Sequence, residues 1–139
     1  MLFGQEHVKR YKETDGEVGY LWNGVTCLIL HTTGAKTGQP RKSPLICGFD
    51  GDRCVIVASM GGAPRHPAWY HNLVADPNVT VQLKGERFAA VARTAEGDER
   101  DRLWKTMTGV WPNYDEYATR TTRVIPVVVL ERKTPPRLV

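Results

Sequence analysis

Two polar, glycine-bearing segments hold the residue types best suited to chemistry. Residues 34–44 read Gly-Ala-Lys-Thr-Gly-Gln-Pro-Arg-Lys-Ser-Pro, with three cations and no acid. Glycines leave backbone amides open, so Lys36, Arg41 and Lys42 could share a phosphate or carboxylate with neighbouring N–H groups. A solvated basic loop accounts for the same residues. Gly34-x-Lys36-x-Gly38 lacks the Gly-x4-Gly-Lys-Ser/Thr spacing of a P-loop, which argues against a nucleotide triphosphatase. Residues 58–73 hold Ser59, the pair Gly61-Gly62, Arg65 and then Trp69-Tyr70 at a helix start. Ser59 stands where a strand gives way to a turn. No Gly-x-Ser-x-Gly surrounds it, which disfavours a serine hydrolase. It remains a turn former or a hydrogen-bond partner for a ring carbonyl or a substrate oxygen. The amides of residues 68–72 sit at the positive end of a helix and suit an electron-rich ring edge or an anionic tail. Together the two segments describe a groove for a long anion carrying a flat ring.

Three aromatics, Trp111, Tyr114 and Tyr117, recur at i, i+3, i+6 beside a proline. They are packing residues or the lid over a flat substrate. His66 and His71 lie five apart, on different faces of a helix, and no His-x-x-x-His or cysteine cluster accompanies them. No metal site is expected. His66 reads as a loop or cap residue, and His31 as a strand histidine with its hydrogen bonds satisfied.

The elements that must position these residues follow from apolar runs and turn residues. Val25–Thr33, Arg41–Phe49, Arg53–Ser59, Val79–Leu83, Arg87–Thr94 and Ile125–Leu130 read as six strands. Asp50-Gly51-Asp52 and Lys84-Gly85-Glu86 are hairpin turns. Pro126 implies an edge strand or a strand start. Ala68–Val74 is a helix with Pro67 at its first position, ended by Asp76-Pro77-Asn78. Asp98–Met107 has helical spacing, and Trp111–Thr119 reads as a loop leading to a short helix. Residues 1–17 form an N-terminal extension, of which 1–12 are too short and too charged for a membrane helix, and residues 132–139 form a frayed tail. One domain over residues 1–139 is expected. The architecture is mainly β with α+β character: a six-stranded antiparallel barrel with a few short helices. Neither a β-α rhythm nor a Gly-x-Gly-x-x-Gly turn supports a dinucleotide fold.

Composition narrows the class further. Net charge is +4, from 19 Lys+Arg against 15 Asp+Glu, too mild to argue for nucleic acid alone. The aromatics also cluster away from the basic turn, so no nucleic-acid partner is expected. Cys27, Cys47 and Cys54 are odd in number and read as reduced strand thiols of a cytoplasmic protein. No apolar stretch is long enough to cross a bilayer, so stable membrane insertion is not expected. Peripheral attachment at the inner face of the membrane stays open, as do the monomeric and homodimeric states.

These motifs resemble, in order and spacing, the deazaflavin-dependent nitroreductase and quinone reductase family of actinobacteria. The resemblance covers about residues 18–131. It rests on TTGAKTGQPR (32–41), VASMGGAP with PAWYHNL (57–73), ADPNVTVQL (75–83) and WPNYDEY with R.IPVVVLE (111–131). It implies a split β-barrel using the 8-hydroxy-5-deazaflavin coenzyme F-420. It implies that Ala35, Lys36, Thr37, Arg41, Lys42, Ser43, Pro44, Leu45 and Ile46 line the coenzyme's phosphate and oligoglutamate side. Val57, Ala58, Ser59, Met60, Ala68, Trp69, Tyr70, His71 and Asn72 would border its ring. Tyr114 would sit near ring and substrate, with Trp111 and Tyr117 shaping the substrate cavity. The implied reaction is hydride transfer to an electron-poor acceptor: a quinone, a nitroaromatic or an unsaturated lactone. Ser59 and Tyr114 are the candidate catalytic donors to the acceptor oxygen. An FMN-dependent split-barrel oxidoreductase and a non-catalytic deazaflavin-binding protein are the alternatives. Met60 stands where members often carry lysine. Trp111 replaces the tyrosine of the nitroimidazole-reducing members.

Overall fold

A computed structural model describes residues 3–133. Eight strands, four α-helices and a 3-10 turn follow one another as α1 (Gly4–Glu13), β1 (Leu21–Trp22), β2 (Val25–Thr33), β3 (Pro40–Ile46), β4 (Gly48–Asp50), β5 (Arg53–Val57), the turn Met60–Gly62, α2 (Ala68–Ala75), β6 (Asn78–Leu83), β7 (Glu86–Thr94), α3 (Gly97–Val110), α4 (Asn113–Thr119) and β8 (Val127–Arg132). The strands pair antiparallel in the order β1-β2-β6-β7-β8-β5-β4, with β3 also on β2. The sheet curls so that one chain segment serves both of its ends.

That segment corrects the expected six strands to eight. The run read as one strand, Arg41–Phe49, breaks at Cys47. Before the break β3 pairs with β2, and after it β4 pairs with β5. The Cys47 amide donates to the Thr26 carbonyl at 2.9 Å, where the chain leaves one pairing for the other. Gly48 permits the crossing, because a Cβ there would lie 2.5 Å from the Met107 sulfur on α3. The eighth strand, β1, is two residues long, too short to carry a periodic signal.

Continuous apolar runs arise because the main strands are covered on both faces. Leu28, Leu30, Ile56, Val81, Val128 and Leu130 point into the barrel, with Trp69 and Leu73 of α2 packed among them. On the outside, Val55, Val57, Val127 and Val129 lie beneath Leu103 and Met107 of α3 and Tyr114 of α4. Ile29 is covered by Val8 and Tyr11 of α1. β8 lies between β5 and β7, so Pro126 starts this strand and does not mark an edge.

The N-terminal extension contains a full helix, α1, which the sequence reading left without structure. The Tyr11 hydroxyl donates to the Cys27 carbonyl at 3.0 Å and accepts from the Lys84 amide at 2.6 Å, pinning α1 across the sheet. Burial pushes that phenol up to about 12. The stretch 111–119 is mostly helix, beginning just after Pro112, where a missing N–H costs nothing. Pro67 caps α2 from outside and does not form its first turn. In the expected tail, Arg132 belongs to β8 and the Lys133 amide donates to the Ala89 carbonyl. Residues 134–139 lie outside the described residues. All three cysteines are free and buried.

Candidate active site

A cavity of about 330 Å³ opens where the outer faces of β2 and β5 meet α1, α2 and α4. Pro44, Leu45 and Ile46 of β3 form one wall, and Val57, Ser59, Met60 and Gly61 the floor. Pro67 and Trp69 enter from the start of α2, and Trp111, Tyr114 and Tyr117 from the far side. Sequence reasoning missed the last wall: Phe3, Gly4 and His7 of α1, with Trp22 and Cys27. A signal existed in the 3-4-7 helical spacing of the α1 residues, hidden by the charge of the segment.

The floor is a chain reversal held by a half-buried arginine fork. Met60, Gly61 and Gly62 take φ of 46, 64 and 83°, three consecutive left-handed residues. Glycine adopts this region freely, whereas Met60 is strained there. A Cβ on Gly62 would lie 2.6 Å from the Tyr117 carbonyl, so glycine is what lets the turn pack on α4. Arg123 donates to the carbonyls of Ser59 at 2.7 Å, Ala63 at 2.8 Å and Ala58 at 3.1 Å. With these carbonyls drawn to one side, the amides of Ser59, Met60 and Gly61 donate to no group among the described residues. The amides of Ala68 and Trp69 at the start of α2 are equally unpaired. Arg123 also meets His66 Nδ1 at 3.1 Å. It sits two residues before the expected last strand and gave no sign of its role.

The basic turn is tied to α2 through Asn72. Its side-chain oxygen accepts from the Ala35 amide at 2.9 Å, and its nitrogen donates to Thr32 Oγ1 at 3.2 Å. The amides of Lys36 and Thr37 remain unpaired, and the side chains of Lys36 and Arg41 make no ion pair or hydrogen bond among the described residues. Strand pairing divides the cation triplet. Arg41 is opposite Thr32, and so shares the α2 side of the sheet, whereas Lys42 is opposite His31 on the α1 side. Ser43, opposite Leu30 on the same face as Arg41, is half-buried.

Other expected positions stand apart from the cavity. Ala58 points into the barrel core. Ala68 and His71 are exposed. The Tyr70 hydroxyl pairs with Thr94 Oγ1 at 2.8 Å, and its ring lines a second cavity of about 390 Å³ with His66 and Arg100. His31 is not a satisfied histidine: its Nε2 is buried with no partner among the described residues. Burial, then Lys12, Lys42 and Arg87, hold its pKa down at about 4.

The three aromatics do converge. Trp111 Nε1 donates to the Tyr117 hydroxyl at 3.4 Å, and the rings of Tyr114 and Tyr117 lie 6.2 Å apart. Trp22 adds its ring 5.6 Å from Trp111. Tyr114 is 3 % exposed, and burial drives its phenol well above the ordinary tyrosine range. It therefore serves as a hydrogen-bond donor more readily than as a proton source. The Cys27 thiol is pushed up to about 12, again by burial. No aspartate, glutamate, lysine or arginine is among the described residues lining this cavity.

A family profile described as F420H(2)-dependent quinone reductase matches residues 3–132, α1 included. The chain belongs to this family. A Mycobacterium tuberculosis relative named F420H(2)-dependent quinone reductase is 45% identical over 131 residues, covering 91% of this chain and 88% of its own. A solved F420-H2 dependent reductase, FDR-A, superposes with a TM-score of 0.71 at 42% identity, over 76% of this chain and 93% of that one. A second structure, described as a domain-swapped dimer, reaches 0.74 at 38% identity, over 91% and 96%. A pyridoxamine 5′-phosphate oxidase-type chain from Listeria innocua, at 11% identity and a TM-score of 0.54, shares the split-barrel fold alone. Among the described residues of this family member, no helix is long and apolar enough to cross a membrane.

Proposed function

We propose that this enzyme reduces quinones with a hydride from the reduced deazaflavin coenzyme, holding the coenzyme's anionic tail at the basic turn and its ring on the cavity floor. The observation that carries the reading is a set of donors without protein partners among the described residues, beside a cavity whose described lining holds no carboxylate, lysine or arginine. The amides of Lys36 and Thr37, with the free side chains of Lys36 and Arg41, offer donors to phosphate or carboxylate oxygens. The amides of Ser59, Met60 and Gly61 offer donors to a polar ring edge. These groups fit the coenzyme: the amide of buried Ser59 has no protein partner among the described residues, and those of Lys36, Thr37, Met60 and Gly61 stand in exposed residues, open to a ligand. When bound, the coenzyme supplies two-electron hydride chemistry.

The chain's own residues orient, exclude water and stabilise charge. Trp69, Met60 and Leu45 line the cavity with apolar surface, so a ligand seated against them would displace water and strengthen the dipoles beside it. Ser59 Oγ and the Tyr114 hydroxyl, which have no protein partner among the described residues, are placed to donate to an acceptor oxygen as negative charge grows there. Trp111 and Tyr117 stack on a planar acceptor and limit its size.

Two anaerobic measurements test this. The protein, mixed with reduced deazaflavin and 1,4-naphthoquinone, should return the oxidised coenzyme's absorbance at a rate proportional to enzyme. After incubation with either FMN or the deazaflavin coenzyme and removal of free ligand, the deazaflavin should remain bound. Retention of FMN with no deazaflavin turnover would replace this reading with a flavin-dependent one.

A further inference from the structure

Reduction of a quinone by a hydride also takes a proton, and among the described residues lining the cavity one side chain, His7, is an imidazole. We infer that His7 is the proton donor to the acceptor oxygen, through its Nδ1. This rests on the quinone-reducing reading above.

Geometry sets the tautomer. His7 is 4 % exposed, and its Nε2 lies 2.8 Å from the Gly19 carbonyl. A carbonyl oxygen only accepts, so Nε2 carries a hydrogen in every protonation state. A Cβ on Gly19 would fall 2.8 Å from His7 Cδ2 and 3.0 Å from Nε2, so the Cδ2–Nε2 edge faces Gly19. In a five-membered ring the atom opposite that edge is Nδ1. Nδ1 has no hydrogen-bond partner among the described residues, and the side chain lines the cavity with Phe3 and Gly4. The ring is thus held by one nitrogen and presents the other to a ligand.

The remaining titratable groups around it are poorer donors. Tyr11, whose ring centroid is 6.4 Å away on α1, spends its hydroxyl on Cys27 and Lys84. From β2 comes the Cys27 thiol, and from α4 come Tyr114 and Tyr117; burial disfavours ionisation of Cys27 and Tyr114. In the step itself, the acceptor gains two electrons and one hydrogen as the hydride from reduced deazaflavin. The Nδ1–H bond of the imidazolium breaks, an O–H bond forms on the quinone oxygen, and hydroquinone results. His7 is left neutral with Nε2–H still on Gly19, and solvent restores the proton at Nδ1.

The test has a binding arm and a kinetic arm. In coenzyme-free protein with ¹⁵N-labelled histidine, NMR should show His7 as the Nε2–H tautomer, with Nδ1 the nitrogen that titrates. Addition of 1,4-naphthoquinone should shift the Nδ1 resonance. His7→Gln keeps an N–H for Gly19 but cannot deliver a proton, so kcat should fall at least about 10²-fold. Deazaflavin affinity by fluorescence should stay unchanged. The wild-type rate should fall as pH rises through the His7 titration seen by NMR, and the variant's rate should be flat there. Imidazole should restore rate to His7→Ala in proportion to its protonated fraction. A His7 found as the Nδ1–H tautomer, or a His7→Gln enzyme keeping the wild-type pH profile, overturns the inference. A wild-type protein that oxidises no reduced deazaflavin with naphthoquinone overturns instead the quinone-reducing reading, and the NMR arm still decides the placement of His7.

Discussion

The turn at residues 34–38 is largely exposed, with no ion pair on Lys36 among the described residues, whereas the cavity behind Met60 is walled by aromatic rings and has no carboxylate, lysine or arginine among its described lining. Both regions leave backbone amides without partners, but for different uses. On the proposed reading, a ligand's charge would meet Lys36 and Arg41 in high dielectric, where salt weakens each contact. At the proposed ring site, the amides of 59–61 would meet a ligand that itself displaces water, so that a fixed dipole is worth more there. On that reading, grip and chemistry are separated along the site. Asn72 couples them, since it bonds the turn through Ala35 and rides on the same helix as Trp69.

Trp69 belongs to both the barrel core and the cavity, so its loss should do the most damage. Trp69→Ala is expected to cost about 3–5 kcal/mol in unfolding free energy by denaturant titration. A loss under about 1 kcal/mol would mean that the cavity is not built on the core.

The turn should behave oppositely. Lys36→Ala and Arg41→Ala are each expected to weaken deazaflavin binding by about 1.5–3 kcal/mol, with Tm unchanged. Fluorescence titration at two salt concentrations checks this. Unchanged affinity in both variants would remove the turn from the site.

His31 sharpens the contrast between the two faces of the β2–β3 pair. Its folded pKa of about 4 lies below the ordinary histidine value of 6.5. Between these values the unfolded chain binds more protons than the folded one. Stability should therefore be full above about pH 6.5 and fall as pH drops towards 4, by on the order of 2 kcal/mol. His31→Gln should flatten that slope in a pH series of unfolding curves and leave coenzyme affinity alone. An unchanged slope would show that His31 is solvated.

The smallest effect is on acceptor choice. Trp111→Tyr frees volume beside Trp22 and adds a hydroxyl. It should raise nitroimidazole turnover relative to quinone turnover by roughly tenfold or less. Steady-state rates for both substrates decide it, and a constant ratio would show that Trp111 is not the gate.

What could be read beforehand followed local chemistry. Val25–Thr33 and Arg53–Ser59 announced buried strands through β-branched runs, and Gly61-Gly62 announced the reversal beneath the cavity. What could not be read depended on distant partners. The break at Cys47 arises because β3 and β4 pair with strands at opposite ends of the sheet, and nothing in residues 41–49 says so. Lys42 looked like a partner of Arg41 until strand register put them on opposite faces. His7 and Arg123 matter through Gly19, Ser59 and Ala63, contacts that exist only once the chain has folded. α1 was obscured because its polar face outweighs the narrow stripe of Phe3, His7, Val8 and Tyr11.

The separation of grip from chemistry is tested most directly by a truncated coenzyme, the reduced deazaflavin lacking its phosphate and oligoglutamate tail. Affinity and single-turnover oxidation by 1,4-naphthoquinone would be measured for the full and truncated forms. This account predicts that truncation weakens binding by at least about 10²-fold, matching the contacts at Lys36 and Arg41, while the rate at saturation stays within a few-fold. Equal affinity for both forms, or a saturated rate that collapses with the tail, would contradict it.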